Sequence, residues 1–232
     1  MLQKIQTKIL NKKDLSKDVK LFILETPKDF DYKAGQYVLI ELEIEKQIQR
    51  RAYSIASSPN NKGKIELCIK KVSKTGFANE LFKLPVRKEI SLMGPLGKFF
   101  INKKPKQDLV FISVGTGIAP FKSMIEHLLK TLNFKKQITL IHGYRHEEDV
   151  LYKDFFSSFE KKLPNFKQNI VLSQPKKISK KIQKGHVQDF IKKPETKTNY
   201  YICGMKIMVE EVSKKLNSLG VSSENIFFEK YD

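Results

Sequence analysis

The chain has 232 residues, of which 40% are hydrophobic, and its 16 phenylalanines can build a sizeable core, so it is not a disordered chain. Its two cysteines cannot supply the four thiolates of a plant-type iron–sulfur cluster or of an all-cysteine zinc site. No apolar run reaches the roughly 18–20 residues of a membrane-spanning helix, and the first residues lack a signal-peptide pattern. We therefore expect a cytoplasmic protein with no membrane span.

The formal net charge is +19, and most of it comes from lysine, since only four of the 44 basic residues are arginines. A basic surface can bind nucleic acid or steer an acidic protein partner. It can also reflect a lysine-rich composition without a specific partner. The lysines are scattered and form no organised basic helix face, so we expect no nucleic-acid partner and keep the other two interpretations.

The first part of the chain, residues 1–103, predicts a small antiparallel barrel. Short segments rich in Val, Ile, Tyr and Phe alternate with turn sequences, and one helical stretch lies near FANELFKL. The predicted strands are KIQTKIL, VKLFILET, QYVLIELEI, RAYSIAS, KIELCIKKV and EISLMG. A polar segment, INKKPKQ, then predicts a linker to a second domain.

The second part, residues 108–232, alternates between strand and helix patterns. DLVFISV, QITLIHGY, NIVLSQ, NYYICGM and NIFFEKY read as strands, and segments with helical or polar patterns separate them. This alternation predicts a parallel doubly wound sheet. Such sheets bind ligands beyond the carboxyl ends of their strands. We therefore expect the ligand-binding and reactive residues in the loops that follow the strands.

The first of these loops is GTGIAP, at Gly115–Pro120, between a strand and a helix. Two glycines allow the backbone to approach a pyrophosphate, and the free N–H groups at the start of a helix favour an anion. A tight strand-to-helix turn without a ligand can use the same pattern. From the residues alone, phosphate binding and a structural turn are equally supported.

The stretch RRAYSIASSP places two of the four arginines beside a tyrosine. Along an extended strand, Arg51 and Tyr53 point to one face and Ser54 to the other. A guanidinium fork matches phosphate oxygens in pairs, which lysine cannot do, and a tyrosine ring can lie against a planar ring system. These residues fit a nucleotide with a large ring, such as a flavin, although by themselves they favour an ordinary exposed strand.

Seven motifs, in order, resemble the ferredoxin–NADP⁺ reductase superfamily of flavoproteins. They are RAYSIASS, IELCIKKV, GFANEL, MGPLGKFF, GTGIAPFKSM, SQ…KGHVQ and CGMKIM, and the resemblance runs from about Tyr32 to Tyr231. The family combines an antiparallel Greek-key barrel that holds FAD with a parallel α/β domain that holds NAD(P)H. The resemblance therefore implies an FAD-binding domain at 1–103 and an NAD(P)H-binding domain at 108–232.

For FAD, the resemblance implies that Arg51 binds the pyrophosphate, Tyr53 stacks on the isoalloxazine and Ser54 lies near its N5. It places Cys68–Lys70 at the adenine half and Gly76–Asn79 at the phosphates, with Asn79 where relatives usually have Ser or Thr. The full set is Arg51, Ala52, Tyr53, Ser54, Cys68, Ile69, Lys70, Gly76, Phe77, Ala78, Asn79 and Tyr231. Tyr231 corresponds to an aromatic residue that covers the flavin until nicotinamide displaces it.

For NAD(P)H, the resemblance implies pyrophosphate binding by the glycine loop, and nicotinamide binding beside the cysteine at the end of NYYICGM. The residues are Gly115, Thr116, Gly117, Pro120, Ser173, Gln174, Lys184, His186, Gln188, Cys203, Gly204 and Met205. Ser54, Cys203 and Glu229 are the residues expected around the reacting atoms, where they hydrogen-bond and position the reactants. No metal is expected.

The choice between NADPH and NADH depends on the 2′-phosphate of the adenosine ribose. Plant-type relatives use a Ser-Arg pair and a Lys-x-Tyr-x-Gln stretch, and here Gln174 replaces the arginine and His186 replaces the tyrosine. Lys176 and Lys177 could supply charge instead, and no acidic residue adjoins Ser173 in sequence. These features favour NADPH over NADH.

The resemblance implies that electrons pass from NAD(P)H through FAD to a one-electron carrier. Two cysteines exclude a four-thiolate cluster in this chain, so we expect an external acceptor, and an acidic ferredoxin or flavodoxin suits the +19 charge. The alternatives are an NAD(P)H-dependent reductase of free flavin or ferric chelates, and the NADH-dependent reductase component of an oxygenase system.

Overall fold

The computed structural model describes residues 2–101, 104–177, 182–194 and 197–231. Tertiary contacts divide the chain into two units. Unit 1 is Met1–Lys103 with Ala119–Asn133, and unit 2 is Lys104–Ile118 with Phe134–Asp232. Residues 102 and 103 of the predicted linker lie outside the described residues. The cofactor-binding ranges 1–103 and 108–232 stay predictions, because by contacts residues 119–133 belong with unit 1.

Unit 1 is built on one antiparallel sheet of six strands, as the alternating pattern predicts. The order across the sheet is β4-β3-β6-β1-β2-β5, so β6 lies between β3 and β1 rather than beside β5. The strands are β1 (Gln3–Ser16), β2 (Val19–Glu25), β3 (Tyr37–Ile44), β4 (Gln47–Ser54), β5 (Lys64–Lys70) and β6 (Glu89–Leu96).

The sheet of unit 1 curls around a single apolar core. A bridge between Ile55 and Leu67 joins the chain just after β4 to β5, the two strands at the edges of the sheet. A short helix, α1 (Phe77–Lys83), follows β5 and buries Phe77 and Leu81. The Greek-key barrel predicted for this half of the chain is confirmed.

Unit 2 contains a six-stranded parallel sheet, which confirms the predicted fold class. Its strand order is β10-β9-β8-β7-β11-β12. The strands are β7 (Asp108–Val114), β8 (Ile138–Tyr144), β9 (Phe166–Leu172), β10 (Ile182–Lys184), β11 (Thr198–Met205) and β12 (Ile226–Tyr231).

Helices connect most of the parallel strands. Helix α2 (Ile118–Glu126) continues into a π-helical turn, His127–Thr131, while α3 (Lys153–Lys162) and α4 (Lys206–Ser218) follow β8 and β11. The segment HVQDFIKK contains one 3₁₀ turn, Val187–Phe190. The Asp189 side chain accepts the backbone N–H of His186 at 2.8 Å, which closes this turn.

The order of the parallel sheet reverses beside β7. The chain runs from β7 through β8 and β9 to β10 in one direction, and β11 and β12 lie on the other side of β7. In open α/β sheets, such a reversal opens a crevice at the carboxyl ends of the two central strands. The carboxyl ends of β7 and β11 carry Gly115–Gly117 and Cys203–Met205, which are predicted site residues.

Candidate functional site

One face of β4 carries the residues predicted to hold FAD. The guanidinium carbon of Arg51 lies 5.8 Å from the centroid of the Phe77 ring, and the Tyr53 and Phe77 ring centroids are 6.3 Å apart. Arg51 and Ala52 are exposed, Tyr53 is half-buried and Ser54 is buried. The strand thus brings an exposed cation and an aromatic ring to the start of α1, as its alternation predicts.

The environment of Tyr53 keeps its phenol protonated. Burial raises the pKa of Tyr53 to about 12, although the nearby Arg51 guanidinium opposes that rise. At neutral pH the side chain is therefore a neutral ring with a hydroxyl donor. Such a ring can lie against a flat heterocycle and still donate one hydrogen bond.

The chain that leads into α1 adopts a backbone conformation suited to glycine. Gly76 has a φ of +90°, and a Cβ placed there would meet no atom within 4 Å. Glycine is thus required by conformation and leaves open space at the helix start. No side chain caps the helix there. The Asn79 amide points along the helix to Glu80 at 3.4 Å. This open, uncapped turn fits a phosphate group.

The third predicted FAD segment is divided between core and surface. Cys68 and Ile69 in β5 are buried, and Lys70 is exposed. Successive strand residues face opposite sides, so Ile69 joins the barrel core and Cys68 lies on the other face of the sheet. The backbone of β5 and the exposed Lys70 side chain are accessible groups of this segment, and its contact with the adenine half stays a prediction.

The glycine loop after β7 lies directly against the end of β11. A Cβ on Gly117 would come within 2.3 Å of the Cys203 carbonyl oxygen, so only glycine allows this approach. Gly115 has a φ of +53° and open space around it. Thr116 is half-buried between them, and Pro120 is buried in the first turn of α2. This small concave backbone fits a pyrophosphate, as predicted for the loop.

Strand register brings together three residues predicted to lie near the hydride-transfer site. Cys203 pairs with Glu229, and Met205 pairs with Tyr231, across the parallel strands β11 and β12. The Cys203 thiol is fully buried. Burial raises its pKa, the Glu229 carboxylate raises it further, and a hydrogen bond with Tyr231 opposes both. The thiol therefore stays protonated at neutral pH.

The remaining residues of this strand end differ in exposure. Gly204 has a φ of +150°, and a Cβ there would meet Val114 and Met208 side-chain atoms at 2.8 Å. The Met205 side chain is 65% exposed. The chain thus turns sharply from β11 into α4 at Gly204, a position that only glycine fits. The exposed thioether of Met205 lies at the carboxyl end of β11.

The residues predicted to hold the adenosine ribose follow β9 and β10. Ser173 and Gln174 donate backbone N–H groups to the carbonyls of Tyr144 and Arg145, at 3.0 and 2.9 Å. Lys184 pairs with Leu172 in the sheet, which places it beside this segment.

Two of the predicted ribose residues are engaged elsewhere. The Gln188 amide donates to Glu211 of α4 at 2.9 Å. His186 takes part in the box of hydrogen bonds that begins the 3₁₀ turn. The structure therefore groups Ser173, Gln174 and Lys184, while Gln188 faces α4.

Two features of this region were not predicted from the sequence. Arg145 is exposed at the end of β8, next to Gln174. Glu147 accepts the backbone N–H groups of Lys176 and Lys177 at 3.1 and 2.8 Å, and Glu148 pairs with the Lys176 ammonium at 2.7 Å. These pairs join positions about thirty residues apart, so only the register of β8 with β9 brings them together.

The described residues bear on the expected absence of a metal site and of a membrane span. No group of three or more His, Cys, Asp or Glu side chains in ranges 2–101, 104–177, 182–194 and 197–231 is arranged to hold a metal ion. Within the same ranges, no helix is both long enough and apolar enough to cross a bilayer. The absence of a metal stays a prediction.

Comparison with known proteins identifies both halves of the chain. The oxidoreductase FAD-binding domain model matches residues 6–101, and the oxidoreductase NAD-binding domain model matches residues 111–214. A solved structure of ferredoxin–NADP⁺ reductase from Plasmodium falciparum with 2′P-AMP superposes with a TM-score of 0.82 at 25% identity, covering 98% of this chain and 96% of that one.

Two curated relatives are longer than this chain. The toluate 1,2-dioxygenase electron transfer component of Pseudomonas putida is 32% identical over 203 residues, covering 85% of this chain and 58% of that protein. One component of the Na⁺-translocating NADH-quinone reductase of Neisseria meningitidis is 31% identical over 227 residues, covering 89% and 54%. The chain thus spans little more than half the length of these relatives. With its paired domains, it belongs to the ferredoxin–NADP⁺ reductase superfamily of FAD- and NAD(P)-binding oxidoreductases.

Proposed function

We propose that this chain carries electrons from NAD(P)H through bound FAD to a one-electron carrier protein. The observation that supports the proposal most directly is the packing of Gly117 against the Cys203 carbonyl. This contact lies beside β7, where the strand order of the parallel sheet reverses. Bound FAD supplies a ring that accepts a hydride and releases electrons singly. The chain supplies binding, orientation and protection from water.

In this proposal Arg51 binds the FAD pyrophosphate and Tyr53 stacks on the flavin. Arg51 is exposed beside the open turn at Gly76, and its guanidinium can offer paired N–H donors to phosphate oxygens. Ser54 lies buried at the end of the same strand and donates or accepts a hydrogen bond at the reactive edge of the ring. Lys70 and the backbone of β5 contact the adenine half.

On the nicotinamide side, Cys203 and Glu229 contact the nicotinamide ring, and Tyr231 covers the flavin until that ring displaces it. The protonated Cys203 thiol provides a weak donor and a soft packing surface. Glu229 lies opposite Cys203 in the sheet and can accept from the carboxamide of the nicotinamide. The glycine loop at Gly115–Gly117 binds the pyrophosphate through its backbone.

We assign NADPH as the preferred donor on the basis of Arg145. Arg145 is exposed, and its backbone carbonyl accepts the N–H of Gln174, the position where plant-type relatives carry an arginine. A guanidinium suits a phosphate dianion better than a lysine does. The relative from Plasmodium falciparum, whose structure was solved with 2′P-AMP, supports a 2′-phosphate site of this kind.

A second candidate is an NADH-dependent reductase component, and one observation favours it. Glu147 accepts the backbone N–H groups of Lys176 and Lys177, and Glu148 pairs with the Lys176 ammonium, so two carboxylates lie beside the segment that could offer charge to a 2′-phosphate. Carboxylates near the ribose repel a 2′-phosphate. One relative is a component of an NADH-quinone reductase, and another is the electron transfer component of a dioxygenase.

We assign an acidic ferredoxin or flavodoxin as the acceptor. The chain carries +19, and a basic reductase attracts an acidic carrier with an association rate that falls as salt increases. The cytoplasmic location expected from the sequence stays a prediction.

The test is steady-state reduction of an acidic ferredoxin, of flavodoxin and of free flavin, with NADPH and NADH in parallel. We expect a higher kcat/KM with NADPH and a faster carrier reaction at low salt. Arg145→Ala raises the KM for NADPH about tenfold and leaves that for NADH unchanged, since one phosphate-binding group contributes about 1.4 kcal/mol or more. Arg87→Ala, at an exposed arginine of unit 1, is the matched control. A preference for NADH that Arg145→Ala does not change supports the second candidate instead.

A further inference from the structure

A buried lysine in α2 contacts the chain that follows the flavin strand. Lys122 is 6% exposed, and its ammonium lies 2.8 Å from a Glu66 carboxylate oxygen and 3.3 Å from the Ala56 carbonyl oxygen. A second carboxylate, that of Glu126, lies 3.9 Å away. All four residues belong to unit 1. The lysine thus joins helix α2 to the barrel by a charge-assisted hydrogen bond within a buried site.

The next residue of α2 makes a parallel contact. Ser123 is fully buried, and its hydroxyl donates to the Ser57 carbonyl oxygen at 2.5 Å. The same carbonyl accepts the Tyr32 hydroxyl at 3.1 Å. Two consecutive carbonyls of the barrel, those of Ala56 and Ser57, therefore accept side-chain donors from α2 and from Tyr32.

The backbone N–H groups of residues 55 and 56 are also hydrogen-bonded. The Ile55 N–H donates to the Gln36 carbonyl at 2.9 Å, and the Ala56 N–H donates to the Glu66 carbonyl at 2.8 Å. Backbone carbonyls buried without a partner cost free energy comparable to a lost hydrogen bond. Lys122 and Ser123 satisfy the two carbonyls at the point where the chain leaves the regular pairing of β4.

A buried ion pair adds little net stability, because the cost of desolvating both charges offsets their attraction, so this arrangement points to a role beyond stability. Well-packed apolar side chains in place of such a pair are often equally stabilising. What the ammonium fixes is a conformation, because it defines where the Ala56 carbonyl and the Glu66 carboxylate lie. That segment begins two residues after Ser54 and three after Tyr53, the residues proposed to contact the flavin.

We infer that Lys122 and Ser123 are positioning residues for the flavin-binding end of β4. They act through the Ala56 and Ser57 carbonyls, which hold Tyr53 and Ser54 in the orientation that the flavin ring requires. This inference rests on the proposed FAD site. It assigns a function to two α2 residues that do not themselves contact the cofactor.

The first test needs no cofactor. In the ligand-free protein, hydrogen exchange of the peptide covering residues 54–58 is measured for wild type, Lys122→Met, Ser123→Ala and Lys130→Met. Lys130 is an exposed lysine of the π-helical turn that continues α2, and it pairs with Glu126 at 2.8 Å, so it controls for loss of a nearby lysine. We expect exchange about tenfold faster or more in the first two variants and unchanged in Lys130→Met. Equal exchange in all four proteins overturns the inference.

The second test uses the FAD-saturated proteins well below their unfolding temperatures. We expect a changed visible circular dichroism of the bound flavin in Lys122→Met and Ser123→Ala. The rate of flavin reduction falls about 10- to 100-fold while the KM for NADPH is unchanged, because small misplacements slow a reaction strongly. A wild-type spectrum and rate at saturation overturn the inference, since a purely structural pair lowers only the melting temperature. Ser123→Ala removes one hydroxyl and keeps the test open if Lys122→Met does not fold. A wild-type protein that binds no FAD contradicts the proposed function itself, whatever the exchange result.

Discussion

Arg50 and Arg51 are consecutive residues of β4, yet their guanidinium groups make different contacts. Arg50 pairs with Glu41 at 2.8 and 2.7 Å, on the neighbouring strand β3. Arg51 turns to the other face of the strand and lies near the Phe77 ring, with one N–H donated to the Arg50 carbonyl. Successive strand residues face opposite sides, so one arginine stabilises the sheet edge and the other is presented to a ligand.

Replacement of Arg51 by alanine tests this division. We expect FAD affinity to fall about 10- to 100-fold, because charge-assisted hydrogen bonds to phosphate contribute about 1.5–3 kcal/mol. Arg50→Ala is the matched control, and it changes FAD affinity less than about twofold since an exposed ion pair contributes little. Fluorescence titration of the apoprotein with FAD measures both. Equal losses in the two variants contradict the assignment.

Replacement of Gly117 by alanine tests the approach of the glycine loop to β11. The added Cβ meets the Cys203 carbonyl oxygen at 2.3 Å, so the loop or the strand end must move. We expect NADP⁺ affinity to fall about tenfold or more, with a lower melting temperature.

Gly63→Ala is the control for this experiment. Gly63 has a positive φ, +82°, but a Cβ there meets nothing within 4 Å. It costs only backbone strain, about 1–2 kcal/mol, and leaves nucleotide affinity unchanged. Unaltered NADP⁺ binding in Gly117→Ala rules out close packing as the reason for the glycine.

The buried Cys203 thiol gives a chemical prediction. Burial and the Glu229 carboxylate raise its pKa, so little thiolate is present at neutral pH. In a Cys68→Ser background, we expect iodoacetamide to alkylate native Cys203 about 100-fold more slowly than a free cysteine, and at the ordinary rate in denaturant. Mass spectrometry of timed samples follows the reaction. Rapid labelling of the native protein disproves the buried, protonated thiol.

His142 makes the stability of unit 2 depend on pH. The side chain is fully buried in β8, its Nδ1 lies 3.2 Å from the Tyr144 hydroxyl, and burial lowers its pKa to about 4. Between about pH 6.5, the unfolded value, and this folded value, the unfolded state binds more protons, so stability falls as the pH falls. Above that window His142 contributes no pH dependence.

Urea unfolding at about pH 5 and about pH 7.5 measures this effect. We expect the wild type to lose stability at the lower pH and His142→Leu to lose less of it. His186→Gln, at an exposed position, keeps the wild-type loss. If His142→Leu loses as much stability at the lower pH as the wild type does, groups other than His142 cause the pH dependence.

The sequence alone predicts the two-domain architecture and most strands, because the apolar alternation of KIELCIK and the continuous apolar run in DLVFISV are local patterns. It also identifies the glycine loop and the flavin strand, since Gly115–Gly117 and Arg51–Ser54 are contiguous motifs. These positions need only the chain direction and the side-chain period to be interpreted.

The remaining features depend on contacts between distant positions. Lys122 and Glu66 are 56 residues apart, and a lysine in α2 reads as a surface residue until its burial is known. The backbone carbonyl of Arg145 accepts the Gln174 N–H only because of the register of β8 with β9. The 3₁₀ turn at HVQDFIKK arises because the Asp189 side chain accepts the His186 N–H.

The most direct test of the whole account is a visible spectrum of the purified protein, followed by anaerobic titration with NADPH and NADH in parallel. We predict a yellow protein with bound FAD whose flavin absorbance bleaches at a lower NADPH concentration than NADH concentration. Bleaching by NADH first contradicts the assigned donor and supports the oxygenase-type reductase. A colourless protein that binds no added FAD contradicts the central claim that this chain is a flavin-dependent reductase.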